Sequence, residues 1–488
     1  MIAPRKDDSV YLPSSPPRPR NARLSRRVVL AGSLTGALLL TACGGSTDDL
    51  DPSAAGGWSQ DYAGTELNVL AEATLNSDIL AQMLPEFTSM TGIEVTLETA
   101  PFAQLVQRAT LDFSTSQGDF DVVSIPYDYL GAYAGSGYLE DFTPLMEANA
   151  DMVSEDFTQE NVIPGLWETA AQWDGTYYGL PSNSAVTMMM YRQDLFEDES
   201  EQAAFMDAYG YELAPATTWE QYADIAEFFT RDAGEQLAGE TLSEPVYGVT
   251  MAGKRHEAAV FEWLNYANSF GGGVLSPEGD LILDSQESVD SLDYMSSLGE
   301  FAPPGYTSAT WDEVTAQLQQ GVAVQAISWG DTAGAMENPD QSAVVGKMAY
   351  GDIPVLDEGD EHHALHGAWT YGISTEASDA DAAYLFVAWA LSEPVQKQIG
   401  EMGGVPATFS AFEDPELLEA LPSWPQQLRS LENAVARPRN AEWPQMLDQL
   451  MLQVSNGLVG ESTPQEALDD AQEQITGILG DKLPLTEF

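Results

Sequence analysis

Flat aromatic residues stand beside hydrogen-bonding groups at several points of this chain, usually at the end of a short apolar run. Trp329-Gly330-Asp331 closes the run VAVQAISW (322–329) with an indole, a glycine that lets a ligand reach the backbone, and a carboxylate acceptor. Trp369 follows Gly367 in His-Gly-Ala-Trp, Tyr127-Asp128 follows FDVVSI (120–125), Glu72 follows ELNVL (66–70), and Ser182-Asn183 follows Pro181. Such groups suit the non-covalent holding of a small molecule with both C–H faces and polar edges. Each also has a structural reading: a core tryptophan at 329, a helix cap at Asp331, a turn at Ser182-Asn183, a solvated carboxylate at Glu72. Trp311, behind Thr310, divides between core and site. Trp263 lies on the apolar helix AAVFEWLNYANSF, where core packing competes with a binding role; its neighbour Asn265 is two residues on and so faces elsewhere. Arg437 and Arg439 stand out because cations are rare here. A guanidinium clamps vicinal hydroxyls or an anionic group, or pairs with an acidic surface.

Other constellations carry less. His362, His363 and His366 form HHALH, but neither an HExxH motif nor a cysteine partner accompanies them, so no metal site is assigned. Asp357-Glu358-Gly359-Asp360-Glu361 lacks the alternation of a calcium loop and reads as a solvated turn. There is no Gly-x-Ser-x-Gly elbow and no phosphate-binding Gly-x-x-x-x-Gly-Lys. No catalytic residue and no cofactor is assigned. With 77 acidic residues some pair always looks catalytic, so carboxylate number alone cannot identify an enzyme.

The 488 residues carry a formal charge of −59. Residues 1–42 hold seven basic and two acidic side chains, so the rest of the chain stands near −64. Phosphate backbones and anionic lipid surfaces are repelled, which excludes nucleic acid as a partner. The one cysteine, Cys43, rules out an intrachain disulfide and any cysteine-rich metal cluster. It closes the stretch LSRRVVLAGSLTGALLLTAC (24–43), with Arg26-Arg27, an apolar run too short for an ordinary membrane span, and small residues before the cysteine. This layout resembles a twin-arginine export signal ending in a lipoprotein box, which implies cleavage before Cys43, lipid on its sulfur and a membrane-tethered protein facing the periplasm or cell exterior. GGSTDDLDPSAAGGWSQ (44–60) reads as a flexible tether.

The body begins near Thr65. Strand, helix, strand, helix and strand patterns succeed one another through residue 125, which predicts a parallel sheet with covering helices. Capping boxes at Thr218/Gln221, Thr310/Glu313 and Thr463/Glu466 predict three helix starts, the last with Pro464 at its first position. The pattern is α/β, too long for one sheet, with no linker in the middle. It predicts two lobes joined by several crossings.

Several segments in order resemble one family. They are EFTSMTGIEVTLETAP (86–101), GDFDVVSIPYDYLGAYAGSGYLEDFTPLM (118–146), WDGTYYGLPSNSAVTMMMYRQDLFED (173–198), PATTWEQYADIAEFFT (215–230), SATWDEVTAQLQQGVAVQAISWGD (308–331), GAWTYGISTEASDADAAYLFVAWAL (367–391) and ARPRNAEWPQM (436–446). Together they are similar to the carbohydrate-type (family 1) extracellular solute-binding proteins of ATP-binding-cassette importers. The resemblance implies a two-lobed periplasmic-binding-protein fold with hinge crossings near Asn183–Thr187, His366–Thr370 and Ser410–Glu416. One lobe would comprise 61–184 with about 370–412, the other about 185–368 with 413–480. It further implies a monomer that closes on a sugar or polyol and delivers it to a permease. The site residues would be Glu72, Tyr127, Asp128, Ser182, Asn183, Trp263, Trp311, Trp329, Asp331, Gly367, Trp369 and Arg437. An exported glycoside hydrolase or lyase, or a ligand sensor for a membrane receptor, remains the alternative.

Overall fold

A computed structural model describes residues 56–485. The export-like stretch, Cys43 and most of the tether lie outside the described residues.

The elements that position the site run in chain order. β1 (Glu66–Glu72), α1 (Leu75–Thr91), β2 (Glu94–Ala100), α2 (Phe102–Thr115) and β3 (Val122–Pro126) follow the predicted alternation. β4 (Leu180–Pro181) leaves this sheet and β5 (Thr187–Arg192) enters a second one. There α3 (Trp219–Phe229), β6 (Tyr247–Val249), α4 (Glu257–Phe270), α5 (Trp311–Gln319), β7 (Ala323–Trp329) and β8 (Met348–Gly351) build the second lobe. β9 (Trp369–Ile373) returns to the first sheet, followed by the helices α6 (Ala380–Ala390), α7 (Trp424–Glu432), α8 (Trp443–Leu458) and α9 (Pro464–Leu479).

The first sheet has the order β2-β1-β3-β9-β4 and the second β6-β7-β5-β8. β1 pairs in parallel with β2 and β3, as the βαβ pattern requires. The sheet is nevertheless mixed, because β9 runs antiparallel to both β3 and β4. The second sheet is mixed too, with β5 antiparallel to β7 and β8. The reason lies in the crossings. A strand that re-enters a sheet directly from the other lobe needs no covering helix to turn it round, so it is not held to parallel pairing.

The first two crossings run side by side. Val186 bridges His366, the Gly367 N–H donates to Ala185 O at 2.9 Å, and the Thr187 N–H donates to Leu365 O at 3.1 Å. Where the third crossing is expected, the chain forms two short helices, Phe409–Phe412 and Pro415–Ala420. Leu417 and Trp424 pack into the core beneath the first sheet, so that lobe keeps hold of the chain beyond residue 412.

All three predicted capping boxes form, at Thr218/Gln221, Thr310/Glu313 and Thr463/Glu466. Each satisfies backbone donors that a helix start otherwise leaves open. α6 is buried continuously from Ala382 to Ala390, the signature of a helix covered on every side.

Candidate functional site

The carboxyl ends of β1, β3 and β7 and the start of β9 meet at one cleft of about 860 Å³. This is where ligands sit in open α/β sheets. Glu72 stands at the end of β1, Trp329 at the end of β7, and Trp369 at the start of β9; all three line the cleft. Asp331 lies in the helical turn Gly330–Thr332 that follows β7.

Five aromatic rings form a connected wall. Phe102, at the first position of α2, meets Trp369 edge-on at 5.5 Å and Trp311 at 5.6 Å. Trp311 lies nearly parallel to Phe261 of α4, centroids 6.1 Å apart and planes at 28°. Phe261 in turn meets Trp329 at 83°. Gly367 makes room for this wall: a Cβ there would lie 2.2 Å from Trp329 Cζ3, so any larger residue displaces the indole.

Behind the wall lies a buried ion pair. Arg437 NH2 is 3.1 Å from Asp128 Oδ1, and Arg437 Nε donates to Asp128 Oδ2 at 3.2 Å. Trp443 Nε1, at the first position of α8, donates to the same Oδ2 at 2.8 Å. Arg437 NH1 donates to His366 O at 2.6 Å, and the Tyr127 hydroxyl accepts from the Arg437 backbone N–H. The guanidinium lies 4.1 Å from the Phe261 centroid and 4.7 Å from that of Tyr127, a cation–π sandwich. Arg437 lines the cleft, but its charge is answered within the protein. Burial pushes the Tyr127 hydroxyl up to about 12, against the opposing pull of Arg437. Burial, reinforced by Arg437, holds the His366 imidazole down to about 3, so that ring stays neutral.

The cleft carboxylates are in the opposite condition. Burial pushes Asp331 up to about 6, and its Oδ1 is enclosed without a hydrogen-bond partner. Glu72 is pushed well up from the ordinary carboxylate range by burial and then by the charges of Asp331, Asp312 and Glu257.

Of the residues singled out from sequence, Glu72, Trp311, Trp329, Asp331, Gly367, Trp369 and Arg437 line the cleft. Tyr127 and Asp128 stand behind it, holding Arg437. Asp128 is therefore not the hydroxyl acceptor expected; its oxygens face Arg437 and Trp443. Asn183 and Ser182 are not among the residues lining the cleft but bond the backbone of Trp369, which is: Asn183 Oδ1 accepts from the Trp369 N–H at 3.1 Å, and the Ser182 N–H donates to Trp369 O at 2.7 Å. Both fix the crossing strands. Trp263 belongs to the core of the second lobe, fully buried with Nε1 on Ser291 Oγ at 2.9 Å. Two residues along a helix lie about 200° apart, so Phe261 facing the cleft turns Trp263 inward. Phe102 and Phe261 are aromatic site residues that sequence reading missed, and the bordering acids Asp78, Asp312, Glu337 and Glu401 went unmarked too. Arg439 donates to the carbonyls of Glu168, Thr169 and Gln172, each at 2.8 Å. His362 Nδ1 lies 2.7 Å from Ile353 O, and among the described residues no three metal-ligating side chains converge on one point.

Comparison with known proteins bears on the family and the fold. The family described as bacterial extracellular solute-binding protein matches residues 72–397. A probable amino-acid ABC transporter periplasmic-binding protein of Sinorhizobium fredii is 25% identical over 86% of this chain and 90% of its own length. The mannitol-binding protein of Pseudomonas aeruginosa is 24% identical, covering 76% of this chain and 80% of its own. Among solved structures, an ABC transporter solute-binding protein of Agrobacterium radiobacter in complex with ribitol superposes with a TM-score of 0.75 at 26% identity, covering 85% of this chain and 99% of that one.

Proposed function

The chain belongs to the bacterial extracellular solute-binding proteins, and we propose that its cleft captures a sugar or polyol by closure of the two lobes. It is the solute-binding component of an ATP-binding-cassette importer, and its relatives are transport components rather than enzymes. The observation that carries the ligand reading is the wall of Phe102, Trp311, Trp329, Trp369 and Phe261 beside the carboxylates of Glu72 and Asp331. Flat rings cover the C–H face of a hydroxylated carbon skeleton, and carboxylates accept its hydroxyl hydrogens in charge-assisted bonds. The ribitol and mannitol of the relatives support the same chemistry.

The paired crossings at Ala185–Thr187 and Leu365–Gly367 supply the hinge on which the lobes close. The lobes comprise 61–184 with about 370–412 and, through the packing of Leu417 and Trp424, the chain on to about 424, and about 185–368 with the remainder to 480. A monomer, lipid-anchored through Cys43 on the outer side of the membrane, would hand the closed form to its permease. Among the described residues no helix is long and apolar enough to cross a membrane.

Calorimetric titration of the protein with pentitols, hexitols, hexoses and short oligosaccharides tests the reading. The expected result is saturable one-to-one binding of at least one compound without turnover. Binding of none, or release of new reducing ends from an oligosaccharide, would overturn it.

A further inference from the structure

We propose that the cleft prefers a solute carrying a protonated amine on its hydroxylated skeleton, an amino sugar or amino alditol, over the neutral and anionic counterparts. This rests on the reading that the cleft takes a hydroxylated solute, and it names the charge of that solute.

The first observation is the sign of the lining. Glu72, Asp78, Asp312, Asp331, Glu337 and Glu401 all border the cleft, while Arg437 is the one basic residue among the described residues lining it. Arg437 does not offset them. Its guanidinium is held by Asp128 and by His366 O and covered by Phe261 and Tyr127. A carboxylate, sulfonate or phosphate on the solute would meet this negative field without a free cation to receive it.

The second observation is the state of Asp331 and Glu72 in that lining. Asp331 Oδ1 is enclosed and has no donor. Burial and mutual repulsion raise Glu72, with Asp331 first among the charges responsible. An enclosed carboxylate oxygen without a donor is costly, and an ammonium supplies both a donor and the opposite charge. A hydroxyl supplies a donor only.

The third observation separates an organic cation from a metal ion. The carboxylates are spread around the cleft, and among the described residues no three ligating groups converge closely enough to hold a metal. Between them stand the indoles of Trp311, Trp329 and Trp369. Aromatic faces attract an ammonium and cover the carbon chain that carries it. A bulky, partly apolar cation fits that surface, and a bare ion does not.

The test compares compounds of one carbon skeleton by calorimetry at fixed pH 7 and fixed salt: D-glucamine, D-sorbitol and D-gluconate, then D-glucosamine, D-glucose and D-glucuronate. 2-Aminoethanol controls for general attraction to an acidic protein. The amine of at least one series is expected to bind about tenfold or more tighter than its neutral partner, with the anion and 2-aminoethanol giving no saturable heat. Asp331→Asn and Glu72→Gln are expected to erase most of that advantage, with a smaller change for the neutral compound. Equal or tighter binding of the neutral member, or aminoethanol binding as well as the amines, overturns the preference and leaves the hydroxylated-solute reading standing. An advantage that persists in both variants overturns the assignment to these carboxylates. Silence from all six hydroxylated compounds overturns the preference, and silence across the wider sugar and polyol panel overturns the parent reading as well.

Discussion

Two groups of charge at the cleft are built on opposite terms. On one side Asp128 and Arg437 form an ion pair, with Trp443, Tyr127 and His366 completing the set. On the other side Glu72 and Asp331 share a wall with no cation of their own. Both sets were equally conspicuous as strand-end carboxylates. What distinguishes them is pairing. A charge answered inside the protein holds the architecture together, whereas one left unanswered at a cleft is available to something from outside.

The contrast can be broken most directly at the pair. Arg437→Met should lower the unfolding free energy by about 3–5 kcal/mol, because it leaves a buried carboxylate without its partner. Denaturant titration measures this. Asp331→Asn should leave stability unchanged or raise it, since it removes a desolvated charge that no cation offsets. Equal losses in the two variants would erase the distinction.

The aromatic wall comes next. Trp329→Ala should weaken ligand binding by about 2 kcal/mol, roughly thirtyfold in Kd, with a smaller effect on folding. Trp263→Phe should do the reverse, lowering stability through its lost packing and its bond to Ser291 while leaving Kd nearly as it was.

A pH profile sharpens the comparison further. Burial places Asp331 at about 6, Glu257 at about 7 and Glu262 at about 8, all above the value of about 4 for an unfolded carboxyl group. The folded form thus keeps protons that the unfolded form releases. Their stabilising effect is full below about pH 4 and is lost as pH rises through 6 to 8. The Tm of the ligand-free protein should therefore fall between pH 5 and pH 8.5. The triple variant Glu257→Gln/Glu262→Gln/Asp331→Asn should flatten that slope; an unchanged slope would assign it to the acidic surface as a whole. The smallest effect belongs to a helix cap outside the cleft lining. Thr218→Ala should cost about 1 kcal/mol and leave Kd unaltered.

Much of the fold was legible because its signals are local. Thr218 and Gln221, or Thr463 and Glu466, meet within one turn, so spacing alone announces the helix start. Trp329, Asp331, Gly367 and Trp369 were legible because strand ends point at the cleft of an α/β protein. Phe102 and Phe261 were not, since an apolar helix pattern says which residues are buried but not which of them look toward a ligand. The fate of Asp128 was hidden for another reason. Its partner Arg437 is 309 residues away, and no local pattern joins them. The antiparallel return of β9 was likewise set by a crossing rather than by anything within the strand.

The distribution of tryptophan has a practical consequence. Of the eleven in the chain, Trp311, Trp329 and Trp369 border the cleft, whereas Trp219, Trp263, Trp389, Trp424 and Trp443 are sealed in the cores. A solute settling on the first group changes the polarity around those indoles and leaves the second group in unchanged surroundings. The protein therefore carries its own optical gauge of occupancy, with an internal reference, and needs no attached dye to read it.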